Sequence, residues 1–159
     1  MDCPQRVRGI VDSYPENVEV NDYFIPNGEV KEHFGRAEVV VLPYRDRDGT
    51  KGHSGVLSTA FSFGKPVVAS TAGEFRELVE TSGAGVLVPQ EDPERLAEAI
   101  VEVLSDEQRR EEMAACSRRM AERLSWASIA DRHVDMYRRV LDGPGERRAG
   151  LAARVGRES

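Results

Sequence analysis

Four short apolar, β-branched runs punctuate the first half of the chain: Val18-Glu19-Val20, Val39-Val40-Val41-Leu42, Val67-Val68-Ala69 and Val86-Leu87-Val88. The middle two show little polar alternation, the pattern of strands covered on both faces. Between the runs the apolar residues fall at helical spacing. Val30, Phe34 and Ala37 recur at intervals of four and three after Asn27, a predicted N-cap. Val56, Ala60 and Phe63 follow Ser54, and Gly64 suits the left-handed position that ends such a helix. Phe75, Leu78 and Val79 mark a short third helix. Strands alternating with helices imply parallel strands joined by right-handed crossovers.

After Pro89 the pattern is purely helical. Asp92-Pro93 supplies an N-cap with Pro at the first helical position, and Leu96, Ile100, Val103 and Leu104 form one stripe. Ser105 with Gln108 reads as a capping box, followed by a stripe of Met113, Cys116, Met120 and Leu124. Ser125 opens a last helix carrying Trp126, a predicted packing anchor, with Ile129, Met136, Tyr137 and Val140. Gly143-Pro144-Gly145 stops it. The predicted fold class is α/β: a partial Rossmann-like parallel sheet of about four strands with flanking helices, then a C-terminal helical segment. Residues 1–142 read as one partial domain, and 143–159 as a disordered Arg-rich tail.

Composition narrows the function classes. Hydrophobic residues make up 40% and charged ones 31%, ordinary for a folded domain. No apolar run approaches the roughly 18 residues of a membrane helix and the N-terminus resembles no signal peptide, so a cytoplasmic location is expected. Cys3 and Cys116 are too few for a disulfide framework, and no Cys/His spacing suggests a metal. The net charge of −6 divides unevenly: the tail from 143 onward is +2. The rest carries 18 basic against 26 acidic residues, or −8, which argues against nucleic acid as a partner.

Ligands of open parallel sheets bind beyond the carboxyl ends of the strands. Two loops fall there: Pro43 to His53, leading into Ser54-Gly55-Val56 at a helix start, and Ser70-Thr71-Ala72-Gly73. The first holds Arg45, Arg47 and Lys51 beside two glycines and the unpaired N–H groups of a helix N-terminus, which together suit an anion. The same charges equally suit a solvated loop paired within itself. His53 is either a donor contact or an ordinary loop histidine. Tyr44 stands where it either stacks on a base or closes the core. Glu77 and Glu80, one helical turn apart, read as a solvated face.

One ordered series of residues goes further. Val39-Val40-Val41-Leu42-Pro43-Tyr44-Arg45 leads to His53-Ser54-Gly55-Val56-Leu57 and Ala60. Phe63-Gly64-Lys65-Pro66-Val67-Val68-Ala69, Gly73, Glu77-Leu78-Val79 and Gly85-Val86-Leu87-Val88-Pro89 follow. Asp92-Pro93, Leu96-Ala97, Ser125-Trp126 and Tyr137 complete it. This series resembles the C-terminal, donor-binding domain of retaining, group 1 (family 4 type) glycosyltransferases with two Rossmann domains, the GT-B fold. The resemblance implies a hexosyl-type transferase with a nucleotide-sugar as substrate and no cofactor or metal. It implies that the turn at Ser54, Gly55 and Val56 presents backbone N–H groups to the donor diphosphate, with Arg45, Lys51, His53, Thr59, Thr71 and Gly73 around it. Family members usually carry Glu at the positions of Lys51 and Thr59, one for the transferred sugar and one for the ribose. Here Lys51 offers an ammonium to phosphate and Thr59 one weak ribose hydrogen bond.

The resemblance also implies an acceptor domain, and an Arg and a Lys that neutralise the diphosphate, neither matched by residues of this chain. Three expectations follow: a fragment weak or inactive alone, a donor-binding subunit of a split transferase with a separate acceptor-half protein, or a non-catalytic nucleotide- or protein-binding remnant. An incomplete sheet also favours self-association.

Overall fold

The computed structural model describes residues 5–46 and 54–142. Lys51, His53 and the tail from Gly143 onward lie outside the described residues. The chain forms two compact units, Met1–Ala37 and Glu38–Ser159.

The first unit holds α1 (Gln5–Ser13) and α2 (Asn27–Arg36). Val18-Glu19-Val20 forms no strand. The chain turns at Tyr14, whose carbonyl accepts from the N–H groups of Asn17 (3.1 Å) and Val18 (3.0 Å), and Val18 and Val20 are exposed. Two valines around a glutamate bury too little to hold an extended segment without a neighbouring strand. Asn27 is the first helical residue rather than the cap: Pro26, extended at φ −60° and ψ 148°, holds the cap position without a side-chain hydrogen bond.

The second unit contains a parallel sheet of β1 (Val40–Leu42), β2 (Val67–Ser70) and β3 (Gly85–Val88), in that order. Val40 pairs with Val67, and Val67 in turn with Gly85. Every residue of the central strand β2 is buried, as its unbroken apolar run predicts. The expected parallel sheet is present, with three strands among the described residues.

Helix α3 (Gly55–Ser62) links β1 to β2. Ser54 caps it, its Oγ accepting from Leu57 N at 3.2 Å. Its buried stripe is Leu57, Ala60 and Phe61, whereas Val56 is exposed. Gly64 at φ +61° ends the helix in a Schellman motif: Lys65 N donates to Ala60 O and Gly64 N to Phe61 O, both at 2.9 Å. Helix α4 (Phe75–Ser82) packs on β2 and β3, burying Phe75 and Val79. Gly85 permits the closest backbone approach in the sheet, since a Cβ there would lie 2.0 Å from Val67 O.

Helix α5 (Pro93–Ser105) starts at Asp92, whose carboxylate accepts from Arg95 N at 2.9 Å. Its Ala99 and Val103 join Val68, Val88 and Met113 in one core cluster. Helix α6 (Glu107–Arg123) is capped by Asp106, accepting from Arg109 N at 2.9 Å, and Ser105 remains the last residue of α5. On α6 the buried positions are Met113, Ser117 and Met120, with Cys116 half-buried at the edge. Ser117 Oγ donates to Lys65 O at 2.7 Å, tying α6 to the turn between α3 and β2.

Helix α7 (Trp126–Leu141) begins at the expected cap, Ser125, but buries no residue. Trp126 is 87% exposed, so it does not anchor the core. Two polar links hold the helix start instead: Ser128 Oγ donates to Glu122 O at 2.7 Å and Arg132 Nη2 to Arg123 O at 2.9 Å.

Candidate functional site

The carboxyl ends of the three strands converge on one edge, and their exits are bound to each other by side chains. Ser70 Oγ donates to Tyr44 O at 2.5 Å, joining the ends of β2 and β1. Asp46 and Gln90 bond reciprocally: Asp46 N donates to Gln90 Oε1 at 2.8 Å, and Gln90 Nε2 to Asp46 Oδ2 at 2.9 Å. Asp46 Oδ1 also accepts from Gly73 N at 2.8 Å, which brings the loop after β2 into the same network. Arg45 forms an exposed ion pair with Glu91 at 2.7 Å. Tyr44 lies against Phe75, ring centroids 5.1 Å apart and planes at 55°, so one side of its ring closes over α4.

Beyond this edge, Ser54 is buried at the start of α3, while Gly55 and Val56 are exposed. A Cβ at Gly55 would meet nothing within 4 Å, so its face is open to an incoming group. The first N–H of the turn is engaged: Ser54 N donates to Glu74 Oε1 at 2.5 Å. Thr59 Oγ1 donates to Gly55 O at 2.8 Å, which leaves its oxygen only as an acceptor for any further partner. Thr71 is half-buried, with its N–H given to Val88 O at 3.0 Å. Gly73 adopts φ +52°, a conformation natural to glycine in such a turn. Glu77 and Glu80 are both exposed on α4, as a solvated face requires.

A cavity of about 280 Å³ opens at the same edge, between the ends of the strands and the start of α5. Pro43, Arg45, Ser70, Glu91 and Leu96 are among its walls. Of the residues singled out in the sequence, Arg45 alone among those described lines this cavity. Ser54, Gly55, Val56 and Thr59 gather instead at the α3 start, and Thr71 and Gly73 on the loop after β2. The residues that sequence reasoning missed are Glu74, Gln90 and Glu91. Each bonds to a partner 20 or more positions away, which no local pattern announces. Among the described residues, no cluster of His, Cys, Asp and Glu suits a metal ion.

A parallel sheet with its loops gathered at the carboxyl edge, one of them opening a helix toward that edge, defines a nucleotide-type α/β domain. The family model described as "Glycosyl transferases group 1" matches residues 2–106, and the chain belongs to that family. It is 32% identical over 126 residues to a D-inositol 3-phosphate glycosyltransferase of Corynebacterium urealyticum, covering 77% of this chain and 29% of that protein. A protein of the same name from Geodermatophilus obscurus is 36% identical over 117 residues, covering 72% and 24%. Among solved structures, sucrose-phosphate synthase from Thermosynechococcus elongatus superposes with a TM-score of 0.67 at 26% identity, covering 86% of this chain and 34% of that one. WaaG, a glycosyltransferase involved in lipopolysaccharide biosynthesis, superposes at 0.63 with 18% identity, covering 85% and 35%, and shows the shared fold. The chain thus spans under a third of the length of these curated relatives. No helix among the described residues is long and apolar enough to cross a membrane.

Proposed function

We propose that the chain is the donor-binding part of a retaining glycosyltransferase, taking a sugar from a nucleotide-sugar to an acceptor held by another part of the enzyme. The observation that carries this reading is the start of α3, where Gly55 stands open at the carboxyl edge of the sheet beneath the loop from β1. There the helix N-terminus stabilises a diphosphate both in the ground state and as it departs with the nucleotide. Arg45, Lys51, His53 and Val56 flank that position, Thr59 offers its oxygen to the ribose, and Thr71 and Gly73 complete the opposite wall. The residues in place of the usual acid pair, Lys51 and Thr59, together with the share of the relatives' length that is matched, support a second reading in which the 159 residues bind donor without transferring it. In that case an acceptor-half protein or a second copy supplies the rest of the site.

Titration calorimetry with a panel of nucleotide-sugars tests the donor assignment. Gly55→Pro removes one backbone donor and constrains the turn, and is expected to abolish binding. Unchanged affinity in that variant would refute the site. Transfer by the 159-residue chain to simple acceptors, inositol phosphates among them, is expected to fall well below the common enzyme range of roughly 1–10³ per second. Orientation of two reactants supplies about 7–11 kcal/mol of such a barrier, and the described site orients only one. Turnover within that range would overturn the second reading.

A further inference from the structure

Glu74 lies just before α4, in helical conformation, yet its side chain does not cap that helix. It reaches across to the start of α3, where Oε1 accepts from Ser54 N at 2.5 Å. The short distance is that of a charge-assisted bond to a carboxylate. Asp46 makes the corresponding bond at Gly73 N, but its second oxygen is held by Gln90 Nε2 at 2.9 Å, which fixes it as part of the scaffold. Glu74 sits on a longer side chain, and its backbone role, accepting from Leu78 N at 3.0 Å, does not require the carboxylate to stay at Ser54.

We propose that Glu74 is a specificity-determining residue that stands in for the donor's phosphate at the α3 start, so that an anion binds there only by displacing it. This rests on the reading of that turn as the diphosphate site. One N–H cannot serve two anions, and a phosphate beside an undisplaced carboxylate meets like-charge repulsion. A bare phosphate or pyrophosphate offers nothing to offset the displacement. A nucleotide-sugar brings base, ribose and sugar contacts as well, so it displaces Glu74 where the inorganic ion does not. The carboxylate thereby filters out the abundant inorganic competitors of the donor.

The test measures binding of inorganic pyrophosphate, UDP-glucose and GDP-mannose to the full chain by calorimetry, in wild type, Glu74→Ala, Glu74→Gln and Glu77→Ala. Glu77 is exposed on α4, so its variant makes the same charge change away from the α3 start. Glu74→Ala is expected to tighten pyrophosphate roughly five- to thirtyfold, the span of a partly buried carboxylate's effect at a helix terminus. Glu77→Ala should leave it within about twofold, as a remote surface charge does in moderate salt. Glu74→Gln keeps an acceptor for Ser54 N, so it stays folded if the Ala variant does not, and its expected gain is smaller but in the same direction. The gain should be larger for pyrophosphate than for whichever nucleotide-sugar binds. Equal effects of Glu74→Ala and Glu77→Ala, or weaker pyrophosphate binding in both Glu74 variants, would overturn the proposal. If a nucleotide-sugar still binds wild type and Gly55→Pro abolishes it, only this inference falls. Absence of binding by every form removes the donor-site reading along with it.

Discussion

Gly85 shows how much a single hydrogen can decide. Its Cα faces Val67 O so closely that an added methyl would sit 2.0 Å away, and the obstacle is backbone rather than a side chain that can rotate aside. Gly85→Ala must therefore push β3 away from β2 at the register pair that opens their ladder. We expect a loss at or above the upper end of the ~1–3 kcal/mol typical of overpacking, measured by urea denaturation. Gly64 is a different case: φ +61° strains any L-residue there, but the atoms nearest to a Cβ belong to the flexible side chain of Arg118. In the sequence both are simply glycines near valine runs. The left-handed role of Gly64 is legible because a helix stripe ends beside it, whereas the need for glycine at position 85 comes from a strand 18 residues earlier.

At the scale of elements, the helix starts separate what a sequence says from what it leaves open. Ser54, Asp92 and Ser125 cap the helices that their positions announce, because a short polar side chain followed by an apolar stripe admits one geometry. Ser105 and Asp106 are adjacent, both able to cap, and Asp106 holds the bond to Arg109 N. Asp106→Ala is expected to cost about 1 kcal/mol, within the 0.5–2 kcal/mol range of lost caps, and Ser105→Ala a few tenths at most. Equal losses in denaturant melts would return the cap to Ser105. The three core strands were legible from their unbroken valine runs, and Val18-Glu19-Val20 misled because it has the residue types of a strand without a neighbour to pair with. On α6 a period of 3.6 leaves Cys116 and Ser117 equally plausible, and Ser117 turns inward because Lys65 O needs its hydroxyl. The site was legible as two loops and a helix start. Its carboxylate partners were not, since Glu74 and Gln90 bond across loops that the linear sequence keeps apart.

For the molecule as a whole, the sheet has β1 and β3 as its outer strands, and α7 carries Ile129, Met136, Tyr137 and Val140 without burying any of them. The proposal that a second copy or an acceptor-half protein completes the enzyme needs a surface of this kind, because apolar residues gathered on one helix gain from being covered. Trp126 bears on that question directly. It is the single tryptophan of the chain, and it stands 87% exposed at the first turn of α7. Its exposure makes the protein its own optical reporter: the indole emission of the dilute chain belongs at the red, water-facing end of the tryptophan spectrum and should be readily quenched by iodide. Raising the concentration, or adding the partner half, should shift that emission to the blue and shield it from the quencher if α7 is where association occurs. An emission that stays red while sedimentation reports a dimer would place the contact elsewhere, and the same indole would then serve to watch α7 unfold.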